Sequence, residues 1–155
     1  MQLRKATNHD LEAIRVLVAE VGREFGFEPE PKGADLDLYG SVDAYFNSSS
    51  LLEVLERNSA VVGVLGVVQR SATEWELRKL YLAAEERSRG HGRRLAQRAI
   101  EFAREQGAHQ LVLQSSLKLS AALSLYKSLG FTEVADKPHS ATCDVSLKLN
   151  LTSIP

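Results

Sequence analysis

Arg87-Ser88-Arg89-Gly90-His91-Gly92 follows a stretch with strand spacing and opens one with helical spacing. Two glycines let the backbone turn tightly and come close to a ligand. Free N–H groups at a helix start, with the helix dipole behind them, form a site for phosphate. Five arginines (Arg87, Arg89, Arg93, Arg94 and Arg98) fall within twelve residues that contain no acid. A polyanionic cofactor suits that surface. Plain turn chemistry and a solvated arginine face account for the same residues, so the loop alone leaves both readings open. Its spacing does separate it from other nucleotide loops. The Gly-x-x-x-x-Gly-Lys-Ser/Thr pattern is absent. A dinucleotide fingerprint requires a third glycine at position 95, which is Leu95.

Upstream of the loop, Glu74–Leu82 reads as a strand with Glu76, Arg78, Leu80 and Leu82 on one face. Leu51–Arg57 and Ala60–Gln69 form a hairpin about Asn58-Ser59. Gly63 and Gly66 inside the second strand indicate a bulge or a close backbone neighbour. Residues 2–6 alternate as a first strand. Thr7 and Asp10 then give a helix start signal, and Leu11, Ile14, Leu17, Val18 and Val21 recur at helical spacing over 10–21. Residues 27–40, with Pro29, Pro31, Gly33 and Gly40, read as irregular, and a short helix is expected over 41–46. This region is acidic. Five acids (Glu28, Glu30, Asp35, Asp37, Asp43) less one base (Lys32) give −4.

Downstream, Leu95, Ala96, Ala99, Phe102 and Ala103 define a helix to about residue 106, stopped by Gly107. A short strand over 110–114, a helix over 120–129 ended by Gly130, and two closing strands over 131–135 and 142–150 complete the chain. The expected fold class is α/β: a mixed, mostly antiparallel sheet of about seven strands with helices on both faces.

The 155 residues suit one domain, residues 1–155. Hydrophobic residues are 44% and charged residues 25%, with net charge −1, which excludes a bulk field for nucleic acid or an anionic membrane. The apolar runs fall short of the roughly 20 residues that span a bilayer. Cys143 is the one cysteine, so no internal disulfide forms, and a cytoplasmic location is expected. His91, His109, His139, Cys143 and Asp144 show no metal-ligand spacing, and no metal is expected. Cys143 reads as a small semi-buried thiol before an acyl-enzyme nucleophile, and His139 as a plain loop residue.

Arg87-x-x-Gly90-x-Gly92 resembles the Arg/Gln-x-x-Gly-x-Gly/Ala coenzyme-A loop of the GNAT superfamily of N-acetyltransferases. Glu76-Leu77-Arg78-Lys79-Leu80-Tyr81-Leu82 looks like that family's fourth strand, and the run from Ala122 to Phe131 like its Ala-x-x-Leu-Tyr-x-x-x-Gly-Phe signature. The element order fits over essentially the whole chain. One departure is Leu119, where many members carry Asn. Any contact made by that side chain is missing, and Ser120 is the neighbouring polar candidate.

The resemblance implies acetyl-CoA as cosubstrate, transfer of its acetyl group directly to a primary amine, and backbone amides of residues 89–93 (Arg89, Gly90, His91, Gly92, Arg93) gripping pyrophosphate after Arg87. It implies that the fourth strand splays from the fifth, so that backbone near Leu80 and Leu82 pairs with the pantetheine arm. Those leucines also serve as core, and the two roles are compatible. Glu76 stands eleven residues before Arg87, where some members carry a catalytic glutamate. A structural ion pair with Arg78 is its alternative. Tyr126 occupies the position whose phenol lies near the thioester sulfur in many relatives, and its alternative is an aromatic core residue. A non-catalytic acyl-CoA-binding sensor is the competing function. The acidic 27–46 segment, with Asp35 and Asp37 beside apolar residues, points to a cationic acceptor, and a homodimer is the common default for the assembly.

Overall fold

The computed structural model describes residues 1–40, 44–135 and 143–152. The chain runs β1 (Gln2–Lys5), α1 (Leu11–Glu24), α2 (Leu36–Tyr39), β2 (Leu51–Arg57), β3 (Ala60–Gln69), β4 (Glu74–Leu82), α3 (His91–Glu105), β5 (Gln110–Ser115), α4 (Ser120–Ser128), β6 (Thr132–Val134) and β7 (Val145–Asn150). The strands form one sheet in the order β1-β2-β3-β4-β5-β7-β6. Every neighbouring pair is antiparallel except β4 and β5, which are parallel. The expected sheet of about seven mostly antiparallel strands is thus present.

Strict alternation along β2 feeds two separate cores. Leu51 and Leu55 join the face covered by Leu95, Ala99 and Phe102 of α3 and by Leu123 of α4. Leu52 and Val54 join the opposite face, covered by Ile14, Leu17 and Val18 of α1 and by Leu38 of α2. Helices therefore cover both faces. The hairpin turn is as short as its sequence suggested, with Asn58 at φ +51° and Ser59 at φ +66°, the positive values that match a two-residue turn to strand twist.

Both strand glycines have a packing reason. A Cβ on Gly66 would lie 2.8 Å from the Tyr45 ring, and one on Gly63 would lie 3.0 Å from Leu82. A register shift at Gly66 adds a second reason: Gly66 faces Lys79 and Val67 faces Leu77, which leaves Arg78 as the extra residue of a bulge.

That bulge corrects the expected face of β4. Before it, Trp75 and Leu77 pack toward α3; after it, Leu80 and Leu82 do. Glu76 therefore lies on the opposite face from Leu80 and Leu82, not beside them. The 27–40 segment also departs from expectation, since Leu36–Tyr39 forms one helical turn with Leu38 fully buried. Of the helix expected over 41–46, residues 41–43 lie outside the described residues, and so do His139 and Thr142.

The first strand is tied to α1 by charge. Arg4 donates to both oxygens of Asp10 at 2.9 Å and to Glu56 at 2.8 Å. Asp10 also accepts the Thr7 amide at 2.8 Å, closing the predicted helix start. Arg4 first, against the opposing effect of burial, holds the Asp10 carboxyl down at about 2.

Candidate functional site

The parallel seam between β4 and β5 is three residues long: Glu74 faces Gln110, Trp75 faces Leu111 and Glu76 faces Val112. Beyond it the strands part. Leu77–Leu82 keeps pairing with β3, and Leu113–Ser115 with β7. A cleft of about 950 Å³ fills the gap, lined by Leu80 and Leu82 of β4, Leu113 of β5, Leu125 and Tyr126 of α4, and Gly90 and Gly92 of the loop. From Glu76 to Leu82 it follows β4 for roughly 20 Å.

At its far end the loop turns into α3. Gly90 is the residue before the helix and has φ +86°, in the left-handed region. A Cβ there would meet nothing within 4 Å, so conformation rather than space selects glycine. The first helical bond runs from the Arg94 N–H to the Gly90 carbonyl. The amides of His91, Gly92 and Arg93 therefore precede the hydrogen-bonded ladder and carry the positive end of the helix dipole. A Cβ on Gly92 would make ordinary contact with Leu125 at 3.4 Å and Leu82 at 3.7 Å, both of which line the cleft, so a longer side chain there would extend into the cleft.

The arginines divide their work. Arg87 chelates Glu24 at 2.7 and 3.1 Å, donates to the Leu82 carbonyl at 3.0 Å, and stacks over Phe25. It bolts the end of α1 to the end of β4 while lining the cleft. Arg93 donates to Ser128 at 2.9 Å and also lines the cleft. Arg89 is exposed and His91 half-buried, flanking the wall. Arg98 turns back to the sheet, where it pairs with Glu53.

Tyr126 lines the cleft, 6% exposed, edge-on to Phe131. Among the described residues no hydrogen bond reaches its hydroxyl. Burial raises its pKa well above that of a free phenol, and Tyr81 raises it further. Tyr81, half-buried in the same cleft, is raised by burial and then by Asp35.

Glu76 is 6% exposed and lines the other end. Arg70 holds it at 2.9 Å and Arg78 at 3.5 Å. The structural ion pair with Arg78 is therefore present, and Arg70 joins it. Arg78 also lies 3.6 Å from Asp37, whose other oxygen lies 3.3 Å from Lys79. Lys79, 3% exposed, sits 2.9 Å from Asp35. Tyr45 donates a short hydrogen bond to Asp37. Asp35 and Asp37 are thus paired with cations inside the protein, although Asp37 Oδ1 accepts no hydrogen bond among the described residues, while Glu28 and Glu30 of the same acidic segment line the cleft.

Sequence reasoning missed Arg70, Lys79 and Tyr81. Their signal was a change of phase along β4. Its apolar residues fall on odd positions (Trp75, Leu77) and then on even ones (Leu80, Leu82), which only a bulge reconciles. Leu119 caps the start of α4 and lines the cleft, and Ser120 follows it there. Among the described residues no group of three His, Cys, Asp or Glu could hold a metal, and no helix is long and apolar enough to cross a membrane.

Known proteins resemble this chain in sequence and in fold. The chain is 31% identical over 138 residues to the uncharacterized N-acetyltransferase YjgM of Escherichia coli K12, across 85% of this chain and 82% of that one. An acetyltransferase of the GNAT family from Staphylococcus aureus Mu50 superposes with a TM-score of 0.86 at 19% identity, over 97% of this chain and 99% of that one. The yncA protein of Salmonella typhimurium, solved with its cofactor acetyl-CoA, gives 0.75 at 23% identity over 100% and 96%. At those identities the two structures speak for the fold. The sequence pattern of the acetyltransferase (GNAT) family covers residues 14–131, and with YjgM matched along most of both chains, this chain belongs to that family of acyltransferases.

Proposed function

We propose that the chain is a single-domain N-acetyltransferase that moves an acetyl group from acetyl-CoA to a primary amine by direct transfer. One observation carries the reading: a single cleft joins the amides at the start of α3 to a buried phenol with no hydrogen-bond partner among the described residues.

The residues fit such a cosubstrate. The amides of residues 89–93, with the side chains of Arg87, Arg89 and Arg93 around them, suit pyrophosphate oxygens. The unpaired edge of β4 near Leu80 and Leu82 offers backbone groups to the amides of a pantetheine arm. When bound, acetyl-CoA supplies an acetyl group activated as a thioester. The acceptor nitrogen forms a bond to the acetyl carbon while the carbon–sulfur bond breaks. A backbone N–H at or near Leu82 polarises the carbonyl. Tyr126 gives its proton to the departing sulfur, and burial keeps the phenol protonated until that base forms beside it. Glu76 takes the proton lost by the amine, directly or through water, with Arg70 and Arg78 fixing its position.

The test is release of free coenzyme A from acetyl-CoA across a panel of primary amines. Amine-dependent release supports transfer. Tight acetyl-CoA binding without release from any amine supports the sensor reading instead.

A further inference from the structure

The charged side chains at the Glu76 end form one alternating chain: Arg70, Glu76, Arg78, Asp37, Lys79, Asp35. Consecutive members lie 2.9, 3.5, 3.6, 3.3 and 2.9 Å apart. Three positive and three negative groups make it neutral. Its two ends differ. Asp35 is closed, because its second oxygen accepts the Glu30 amide at 2.9 Å and the residue is 8% exposed. Arg70 is open. Its side chain is 37% exposed and lines the cleft. Among the described residues its guanidinium spends one nitrogen, Nη1, on Glu76. Its remaining N–H donors form a planar fork toward a polar partner.

An alternating chain that ends on an open guanidinium is continued by an anion. A cation there would face the like charge of Arg70. Glu28, Glu30 and Lys118 also line the cleft; Glu28 is paired with Arg23 at 3.2 Å, Lys118 is opposite in charge to Glu30, and Lys118 rests over the Phe27 ring. They leave the balance unchanged.

We propose that the amine acceptor also carries a carboxylate, and that Arg70 binds that carboxylate while the amine meets the acetyl group. This rests on the transfer reading above. The preferred acceptors are then amino acids or their conjugates, in preference to polyamines and simple alkylamines.

The test compares several amino acids with their carboxamides, by kcat/KM for coenzyme A release, in wild type and in Arg70→Gln. Using the acid-to-amide ratio cancels any effect that Arg70 exerts through Glu76 on both acceptors alike. The ratio should fall by about 10- to 100-fold in Arg70→Gln, the range for loss of a charge-assisted hydrogen-bonded contact, and the fall should appear in KM. Arg70→Lys, which keeps the charge and loses the fork, should show a smaller fall and serves alone if Arg70→Gln does not fold. Calorimetric acetyl-CoA affinity verifies that each variant is intact. An equal ratio in wild type and both variants overturns the proposal and leaves the transfer reading standing. No release from any acceptor by wild type overturns both.

Discussion

At its α3 end the cleft offers backbone, and at its Glu76 end it offers side chains. The first end needs two glycines, a helix start and an unpaired strand edge, so almost any side chains could surround it. The second needs six particular charges at particular depths, joined across the turn after β3, β4 and the 34–38 segment. The difference teaches where specificity can change. A backbone site is inherited with the fold, whereas a buried charge chain is rewritten by single substitutions.

The sharpest way to break this contrast is to put a side chain into the backbone site. Gly92→Glu adds a carboxylate where pyrophosphate oxygens would sit, at a position whose Cβ makes only ordinary contact. Acetyl-CoA binding should be lost by calorimetry while the unfolding midpoint stays near wild type. Normal binding by a folded variant would remove the loop from the site. Gly90→Glu is a less clean probe, because φ +86° strains any side chain there.

At the other end, Glu76→Gln should lower kcat by roughly 10²- to 10⁴-fold if Glu76 takes the proton. A drop below about tenfold would leave Glu76 with the task of positioning Arg70 and Arg78. Tyr126→Phe should lower kcat with little change in acetyl-CoA affinity, and a loss of affinity instead would make the tyrosine a wall of the cleft.

Lys79→Met sharpens the comparison through stability. It strands Asp35 and Asp37, both nearly buried, without their shared cation. Denaturant unfolding should show a loss of about 3–5 kcal/mol, whereas Gly92→Glu should leave stability almost unchanged. Similar losses in the two variants would erase the distinction between the ends.

The smallest expected effect lies outside both. Asp10→Asn removes the charged partner of Arg4 and should cost about 1–2 kcal/mol at neutral pH. Asp10 has its carboxyl lowered from 3.8 to about 2 in the folded state. Its contribution is therefore whole above pH 4 and fades as pH falls from about 4 toward 2. Wild type and Asp10→Asn should converge in stability over that window, and a constant gap down to pH 2 would refute the assignment.

Legibility in the sequence follows the same division. The three strands of the hairpin region fell within their expected bounds, because alternation and the Asn58-Ser59 turn act locally. The glycine turn that opens α3 was equally plain, because glycine and a helix start are local signals. The charge chain was not, because it joins residues up to 44 positions apart, as in Lys79 to Asp35. Asp35 and Asp37 looked like a solvated acidic patch until Lys79 was seen to be turned toward them, and it is turned that way only because Arg78 bulges. The helical turn at Leu36–Tyr39 was hidden for a related reason: Leu38 is anchored by the core on the α1 face, while its neighbours Pro29, Pro31 and Gly33 signal a loop.

The three-rung seam between β4 and β5 carries a mechanical consequence. Seven strands are joined into one sheet, yet among the described residues the two blocks β1–β4 and β5–β7–β6 share a backbone ladder from Glu74 to Glu76, prefaced by the bonds of His109 and Gln110 N–H to the Thr73 carbonyl. Beyond those rungs, packing against α3 and α4 has to hold the blocks together. A guest with amides of its own, laid along the gap, would act as a substitute strand and supply the missing rungs. Amide hydrogens along Leu77–Leu82 and Leu113–Ser115 would then exchange more slowly with deuterium once it is seated, and the sheet would stiffen at the line where it is otherwise easiest to part.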